Sequence, residues 1–136
     1  MENADAAAGR FDNSFVPRSY RVMRSRRELA DTVTLELKPL AGARPAFAAG
    51  QFNMLYVFGI GEAAISVSGD PAQHDTFVHT IRDVGAVSGA LARVTAGTTL
   101  GVRGPFGRGW PLNAAAGSDV VIVAGGLGLA PLRPAI

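Results

Sequence analysis

The chain has 136 residues, enough for one domain with a sizeable core, and 48% hydrophobic against 18% charged residues is a globular composition. A formal net charge of +2 is too small to point to a nucleic-acid partner, and the arginine bias, with Lys38 the only lysine, carries no functional meaning. The absence of cysteine excludes disulfides, thiolate zinc sites and an iron–sulfur cluster within this chain.

Residues Met1 to Phe15 carry Glu2, Asp5 and Asp12 and no apolar core. They do not resemble a signal peptide and are expected to form a flexible N-terminal extension, residues 1–15. From Arg18 the pattern becomes strand-like, with Tyr20 and Val22 alternating with Arg21 and Met23. Thr32 to Lys38 alternates more cleanly, placing Val33, Leu35 and Leu37 on one face, and Pro39 ends it. Ala41 to Ala49, with Gly42 and Pro45, reads as a loop.

Gln51 to Phe58 is a third strand, Gly59 to Glu62 a turn, Ala64 to Ser68 a short strand and Thr76 to Val84 a fifth. The period then changes: Val87, Leu91 and Val94 fall at helical spacing, with Ser88 near the start and Gly97 beyond the end. Thr99 to Arg103 is a sixth strand, and the glycine- and proline-rich Gly104 to Pro111 is expected to be irregular. Six short strands and one small helix predict a closed or nearly closed antiparallel barrel over residues 16–113.

The tail differs. Asp119 to Ala124 is a continuous apolar run, as in a buried parallel strand, and leads into Gly125, Gly126 and Gly128 and then a helix start. Strand, glycine turn and helix open a nucleotide-binding α/β domain, so residues 114–136 are expected to be the truncated start of one. The run from Val120 to Leu132 is broken by glycines and too short to span a bilayer, which together with the N-terminus gives a cytoplasmic expectation. Val120 to Ile136 is expected to be poorly ordered or folded back on the barrel.

Four stretches carry chemistry. Gly125, Gly126 and Gly128 after an apolar strand let a backbone approach a phosphate, with a helix N-terminus beyond; a tight strand–helix turn without ligand gives the same residues. In Gly85-Ala86-Val87-Ser88-Gly89 a strand ends on glycine and a helix begins, so the serine hydroxyl and the first helical N–H groups can hold a pyrophosphate; a serine that merely caps the helix is the commoner case. Ala63 to Ser68 places serines among apolar residues, suited to a flat ring or to the polar face of an edge strand. Gly104-Pro105-Phe106-Gly107-Arg108-Gly109-Trp110-Pro111 makes a rigid linker with aromatic faces or a packed hinge.

In this order the segments resemble the ferredoxin–NADP reductase superfamily. The likeness is closest to its branch of electron-transfer subunits: the gamma subunit of sulfhydrogenase-type nickel–iron hydrogenases and the corresponding subunits of anaerobic sulfite reductase and of dihydroorotate dehydrogenase. It is carried by Pro45 to Met54, Gly61 to Ser68, Thr80 to Leu91, Leu100 to Pro111 and Asp119 to Ile136, and covers Phe15 to Ile136. The resemblance implies an all-β, six-stranded antiparallel Greek-key barrel with one short helix, followed by the first strand and glycine turn of a truncated nucleotide-binding domain. It implies FAD as cofactor, NAD(P)H as reductant of the full-length protein, and iron–sulfur, hydrogenase or sulfite-reductase-type redox subunits as partners, with neither nucleic acid nor membrane.

The family's Arg-x-Tyr-Ser motif, serving the flavin pyrophosphate, ring and N5, falls here on Ala63, Ile65 and Ser66, so only the serine matches, and Val67 follows it. Arg82 is the candidate replacement for the missing guanidinium; the alternative is an exposed charge on an edge strand. Gly85, Ala86, Val87 and Ser88 match the pyrophosphate-binding helix start. His79 and Thr80 lie on the strand that lines the flavin in relatives, although His79 also suits a plain barrel position. Gly126, Gly128 and Pro131 match the loop that approaches the nicotinamide nucleotide. The implied reaction is oxidoreduction, NAD(P)H to flavin to iron–sulfur partner, in which the truncated chain alone is inactive. No catalytic acid, base or nucleophile and no metal site is expected. Two alternatives stay open: a cofactor-free barrel acting as an interaction module, which Ala63 favours, and an FMN-binding barrel. The five arginines from Arg18 to Arg27 are either a docking face for an acidic redox partner or a solvated strand face.

Overall fold

The computed structural model describes residues 15–136; the N-terminal extension expected over residues 1–15 lies almost entirely outside them. Six strands follow in order: β1 (Arg18–Leu29), β2 (Thr32–Pro39), β3 (Phe52–Val57), β4 (Gly61–Ser66), β5 (Phe77–Arg82) and, after helix α1 (Ala86–Arg93), β6 (Thr99–Phe106). All neighbouring strands are antiparallel, and the sheet runs β4-β3-β6-β1-β2-β5. Its edges, β4 and β5, curl toward each other and meet at a single antiparallel bridge, Val67 to His79. The sheet is thus a barrel nearly closed, with a seam instead of a full sixth ladder.

Alternation decides what fills the barrel. Val33, Leu35 and Leu37 of β2 and Phe77 and Ile81 of β5 point inward with Tyr20, Val22, Leu55, Leu100 and Val102. Leu91 of α1 plugs one end, since Ser88, Gly89, Leu91 and Ala92 form the buried face of that helix. Burying a side chain such as Leu91 is worth about 1.5–3 kcal/mol. At another position the cover is a buried arginine. Arg44 donates to the carbonyls of Pro45, Pro71 and Gln73 and lies 4.9 and 5.0 Å from the ring centroids of Phe47 and Phe77.

Several boundaries depart from the sequence expectation. β1 runs on to Leu29 because β2 pairs with it to Thr32, around a bulge between Val22 and Arg24. β4 begins at Gly61 within the expected turn, since the β3–β4 ladder extends to Val57 and Gly61. β6 continues through Phe106 although that stretch is rich in glycine and proline, because Phe106 pairs with Phe52 of β3. The strand expected over Asp119 to Ala124 does not form. No described strand lies beside it to take its backbone hydrogen bonds, and Val121 and Val123 are 86% and 85% exposed. Short 3-10 turns at Leu112–Ala115, Gly126–Leu129 and Arg133–Ala135 make up the rest of the tail. Among the described residues no helix is long and apolar enough to cross a membrane.

Candidate functional site

The seam between β4 and β5 sets up the site. Where the two edges separate, a cleft of about 680 Å³ opens on the outside of the barrel. Ile65 and Ser66 of β4 form one wall, and Thr80 and Arg82 of β5 another. Gly85, Val87 and Ser88 at the start of α1 form its floor, and Leu127, Gly128, Ala130 and Pro131 of the tail fold over it. The volume falls within the range of small-molecule sites, which are mostly apolar with a few directed polar groups.

The sequence candidates are not all in that cleft. Ile65, Ser66, Thr80, Arg82, Gly85, Val87, Ser88 and Gly128 line it together. Ala86 faces solvent at the helix start. Gly126 lines an adjoining groove of about 510 Å³ that shares Thr80, Arg82, Leu127 and Ala130 with the cleft. Val67 and His79 point into the barrel and are fully buried.

The start of α1 is built as an anion cradle. Gly85 is the N-cap residue and contributes no side-chain cap, and Gly89 N–H closes the first turn on the Gly85 carbonyl at 2.8 Å. The N–H groups of Ala86, Val87 and Ser88 have no partner among the described residues, as is usual in a first helical turn. The Ser88 hydroxyl is already engaged: it accepts the Val84 N–H at 3.1 Å and donates to the Gly85 carbonyl at 3.4 Å. It therefore shapes the loop, while the free backbone donors and the helix dipole are what a phosphate would meet.

Charge in the cleft is largely neutralised. Arg82, the candidate phosphate arginine, donates from Nε to Asp31 in the β1–β2 turn at 2.6 Å, and this bond holds the Asp31 carboxyl below the usual range. Glu62 at the rim is clasped by Arg103 of β6 through two bonds of 2.9 and 2.5 Å, which lowers the Glu62 carboxyl in the same way. Ala63 offers no charge at all.

Beneath the cleft lies a polar cluster only half visible in the sequence. His79 Nδ1 is 2.9 Å from the Ser66 carbonyl and His79 Nε2 is 3.2 Å from Asn53 Nδ2. Burial pushes His79 down to about 4, against the pull of the carbonyls at Ser66 and Ile65. Asn53 escaped sequence reasoning. Its one signal is a place two residues before Leu55, an inward position of β3 otherwise apolar. On the outer face Thr34, Thr80 and Ser68 join through hydroxyls at 3.1 Å each.

The linker after β6 fixes the tail. Trp110 N–H reaches the Ala49 carbonyl at 2.7 Å, and its indole Nε1 donates to the Pro131 carbonyl at 2.9 Å. The tail is thus folded back on the barrel, next to the cleft. The β1 arginines are divided: Arg26 pairs with Glu28, and Arg18 and Arg27 hold loop carbonyls. Arg21 and Arg24 make no side-chain bond among the described residues and share the outer face of the strand.

Comparison with known proteins supplies the context. No protein-family model matches the chain. It is 41% identical over 87 residues to sulfhydrogenase 1 subunit gamma of Pyrococcus furiosus, covering 64% of this chain and 30% of that protein. It is 35% identical over 123 residues to a probable dihydroorotate dehydrogenase B (NAD(+)) electron transfer subunit of Methanopyrus kandleri, covering 90% and 44%. The chain thus spans between 30% and 44% of the length of these curated relatives. Among solved structures, an Amycolatopsis cytochrome P450 reductase superposes with TM-score 0.73 at 25% identity, over 86% of this chain and 37% of the other. Phthalate dioxygenase reductase, described as transferring electrons from pyridine nucleotides to [2Fe-2S], superposes with TM-score 0.68 at 16% identity, over 86% and 37%.

Proposed function

We propose, from the chain's likeness to a sulfhydrogenase gamma subunit, a dihydroorotate dehydrogenase electron transfer subunit and a cytochrome P450 reductase, that it belongs to the ferredoxin–NADP reductase superfamily and that residues 16–113 are the FAD-binding domain of an oxidoreductase electron-transfer subunit. That subunit moves electrons between NAD(P)H and an iron–sulfur partner, a redox subunit of the hydrogenase or sulfite reductase kind. The observation that carries the reading is the pairing, within one cleft, of an apolar strand wall at Ile65 and unpaired helix amides at Val87 and Ser88.

The residues present fit a flavin nucleotide. Ile65 gives flat apolar contact for a ring, and Ser66 and Thr80 supply hydroxyls at its edge. The α1 amides would hold the diphosphate, with backbone dipoles in place of the absent guanidinium at Ala63. Gly128 and Pro131 cover the open side and would border a nicotinamide nucleotide. A bound flavin supplies hydride acceptance and electron release one at a time. The protein's part is to orient the ring and set its polar surroundings, so no acid, base or nucleophile is needed.

The test uses Trp110, the single tryptophan, which is bonded to a residue of the cleft wall. Titrating the purified chain with FAD is expected to quench Trp110 emission and shift the flavin visible band. Neither change at high micromolar FAD overturns the reading. Equal affinity for FMN and FAD assigns the site to the mononucleotide instead.

A further inference from the structure

Ser66 occupies a special place in the sheet. It stands opposite Phe52, while the next residue, Val67, donates its N–H to the Gln51 carbonyl at 3.0 Å. In an antiparallel ladder this makes Phe52 and Ser66 a non-hydrogen-bonded pair, so the N–H and C=O of Ser66 turn away from β3 and toward the seam with β5. β5 meets this edge at one bridge, Val67 to His79, a non-hydrogen-bonded pair whose flanking bonds join the Ser68 N–H to the Val78 carbonyl at 2.8 Å and the Thr80 N–H to the Ser66 carbonyl. The carbonyl is taken from inside the barrel by His79 Nδ1 at 2.9 Å. Since a carbonyl only accepts, Nδ1 carries the proton, and the bare Nε2 accepts from Asn53 Nδ2 at 3.2 Å.

This arrangement is costly for a core. His79 and Asn53 are both fully buried, and Asn53 Oδ1 has no hydrogen-bond partner. Two apolar side chains of similar size would fill the same space with no polar group to satisfy. The pair does one thing such residues cannot do: it adds a second bond to the Ser66 carbonyl from inside the barrel, which restrains that peptide further. Ser66 lines the cleft, and it forms no bridge with Thr80 across the seam, so its N–H and hydroxyl are open to that space.

We propose that His79, oriented by Asn53, is a positioning residue that holds the Ser66 peptide so that its N–H and hydroxyl are presented as fixed donors to acceptor atoms on the edge of the bound flavin ring. This rests on the flavin reading above and adds to it a part of the barrel interior that no cofactor touches. The neutral His79 ring, kept so by its burial, suits the task, because both of its nitrogens are committed to uncharged partners.

Three variants of the full chain test it: His79→Gln, His79→Leu and Asn53→Leu. Gln can still donate to the Ser66 carbonyl and accept from Asn53; Leu can do neither. Thermal melts establish which variants fold. Flavin titration is expected to give His79→Gln an FAD affinity within about threefold of wild type, and the two Leu variants a loss of tenfold or more with a displaced visible band. In the cofactor-free chain, the Ser66 amide resonance and its hydrogen exchange are expected to change in the Leu variants and to recover in His79→Gln.

A folded His79→Leu chain with wild-type FAD affinity, band position and Ser66 amide overturns the inference and leaves the pair as core filling. If His79→Leu does not fold, Asn53→Leu decides by the same criteria. If wild type itself takes up no flavin, the flavin reading falls. The hold on the Ser66 peptide is then judged by the amide measurements alone, where an unchanged Ser66 signal overturns it.

Discussion

The Ser88 hydroxyl accepts the backbone N–H of Val84 at 3.1 Å, four residues back, and so closes the loop between β5 and α1 on itself. This bond sets the direction from which α1 enters the cleft, while leaving the amides of Ala86, Val87 and Ser88 open. Replacing Ser88 by Ala leaves the Val84 N–H without its acceptor. A loss of about 1 kcal/mol in unfolding free energy is expected by denaturant titration. FAD affinity is expected to fall by less than about tenfold, because the amides that face the phosphates remain. A hundredfold loss would mean that the hydroxyl itself holds the cofactor.

Gly85 separates space from conformation. Its φ of −174° is extended backbone open to any residue, and a Cβ there meets only Ser88 Oγ at 3.9 Å. The fold therefore tolerates a side chain, while the cleft does not, since Gly85 forms part of its floor. Gly85→Leu is expected to cost about 1 kcal/mol or less in a melt, as for an N-cap exchange. It is expected to abolish FAD binding in the fluorescence titration. Unchanged binding would place the phosphates away from α1.

The legible parts of the fold are those where one strand face is buried. Val33, Leu35 and Leu37 alternate because β2 lies over the core throughout, and Val87 and Leu91 mark the inner face of α1. The second half of β1 was not legible, because the bulge after Val22 resets the alternation and puts Arg21, Arg24 and Arg26 on one face. Pairing partners overrode local signals at both ends: Phe52 keeps Phe106 in a strand, and the apolar run from Val120 to Val123 has no neighbouring strand to complete it. In the site, Ile65, Ser66, Thr80, Gly85 and Ser88 could be named in advance because their motifs are local. The bonds of Arg82 to Asp31 and of His79 to Asn53 join residues 51 and 26 positions apart, and nothing short of the strand register predicts them.

Arg82 and Asp31 make a second contest measurable. Arg82 borders the cleft, but its Nε is spent on Asp31 at 2.6 Å. Asp31→Asn removes the charge and can still accept the Thr32 hydroxyl bond now made to Asp31 at 2.9 Å. The freed guanidinium is expected to tighten FAD binding by about two- to fivefold, the scale of an exposed ion pair, with a steeper dependence on salt. Riboflavin, which lacks phosphate, is expected to bind the variant and wild type alike. Tightening of both ligands equally would show that Arg82 acts on something other than the phosphates.

His79 gives the chain a defined response to acid. Burial lowers its folded-state value to about 4 from an ordinary 6.5, so the unfolded chain binds the extra proton first. Between those values the unfolded state carries more protons, and stability must fall as pH falls. The full contribution is present above 6.5, and its loss is complete near 4, amounting to roughly 3 kcal/mol. The carboxyls of Glu28, Asp31 and Glu62, lowered by their hydrogen bonds and arginine partners, weaken the fold only below the usual carboxylate range. Unfolding free energies of wild type and His79→Gln, measured from pH 7 to 4, are expected to diverge in slope below 6.5, with the variant nearly flat down to about 5. Parallel slopes would show that the His79 ring takes up its proton in the folded barrel without cost, and that its bonds to Ser66 and Asn53 are not held in the neutral form.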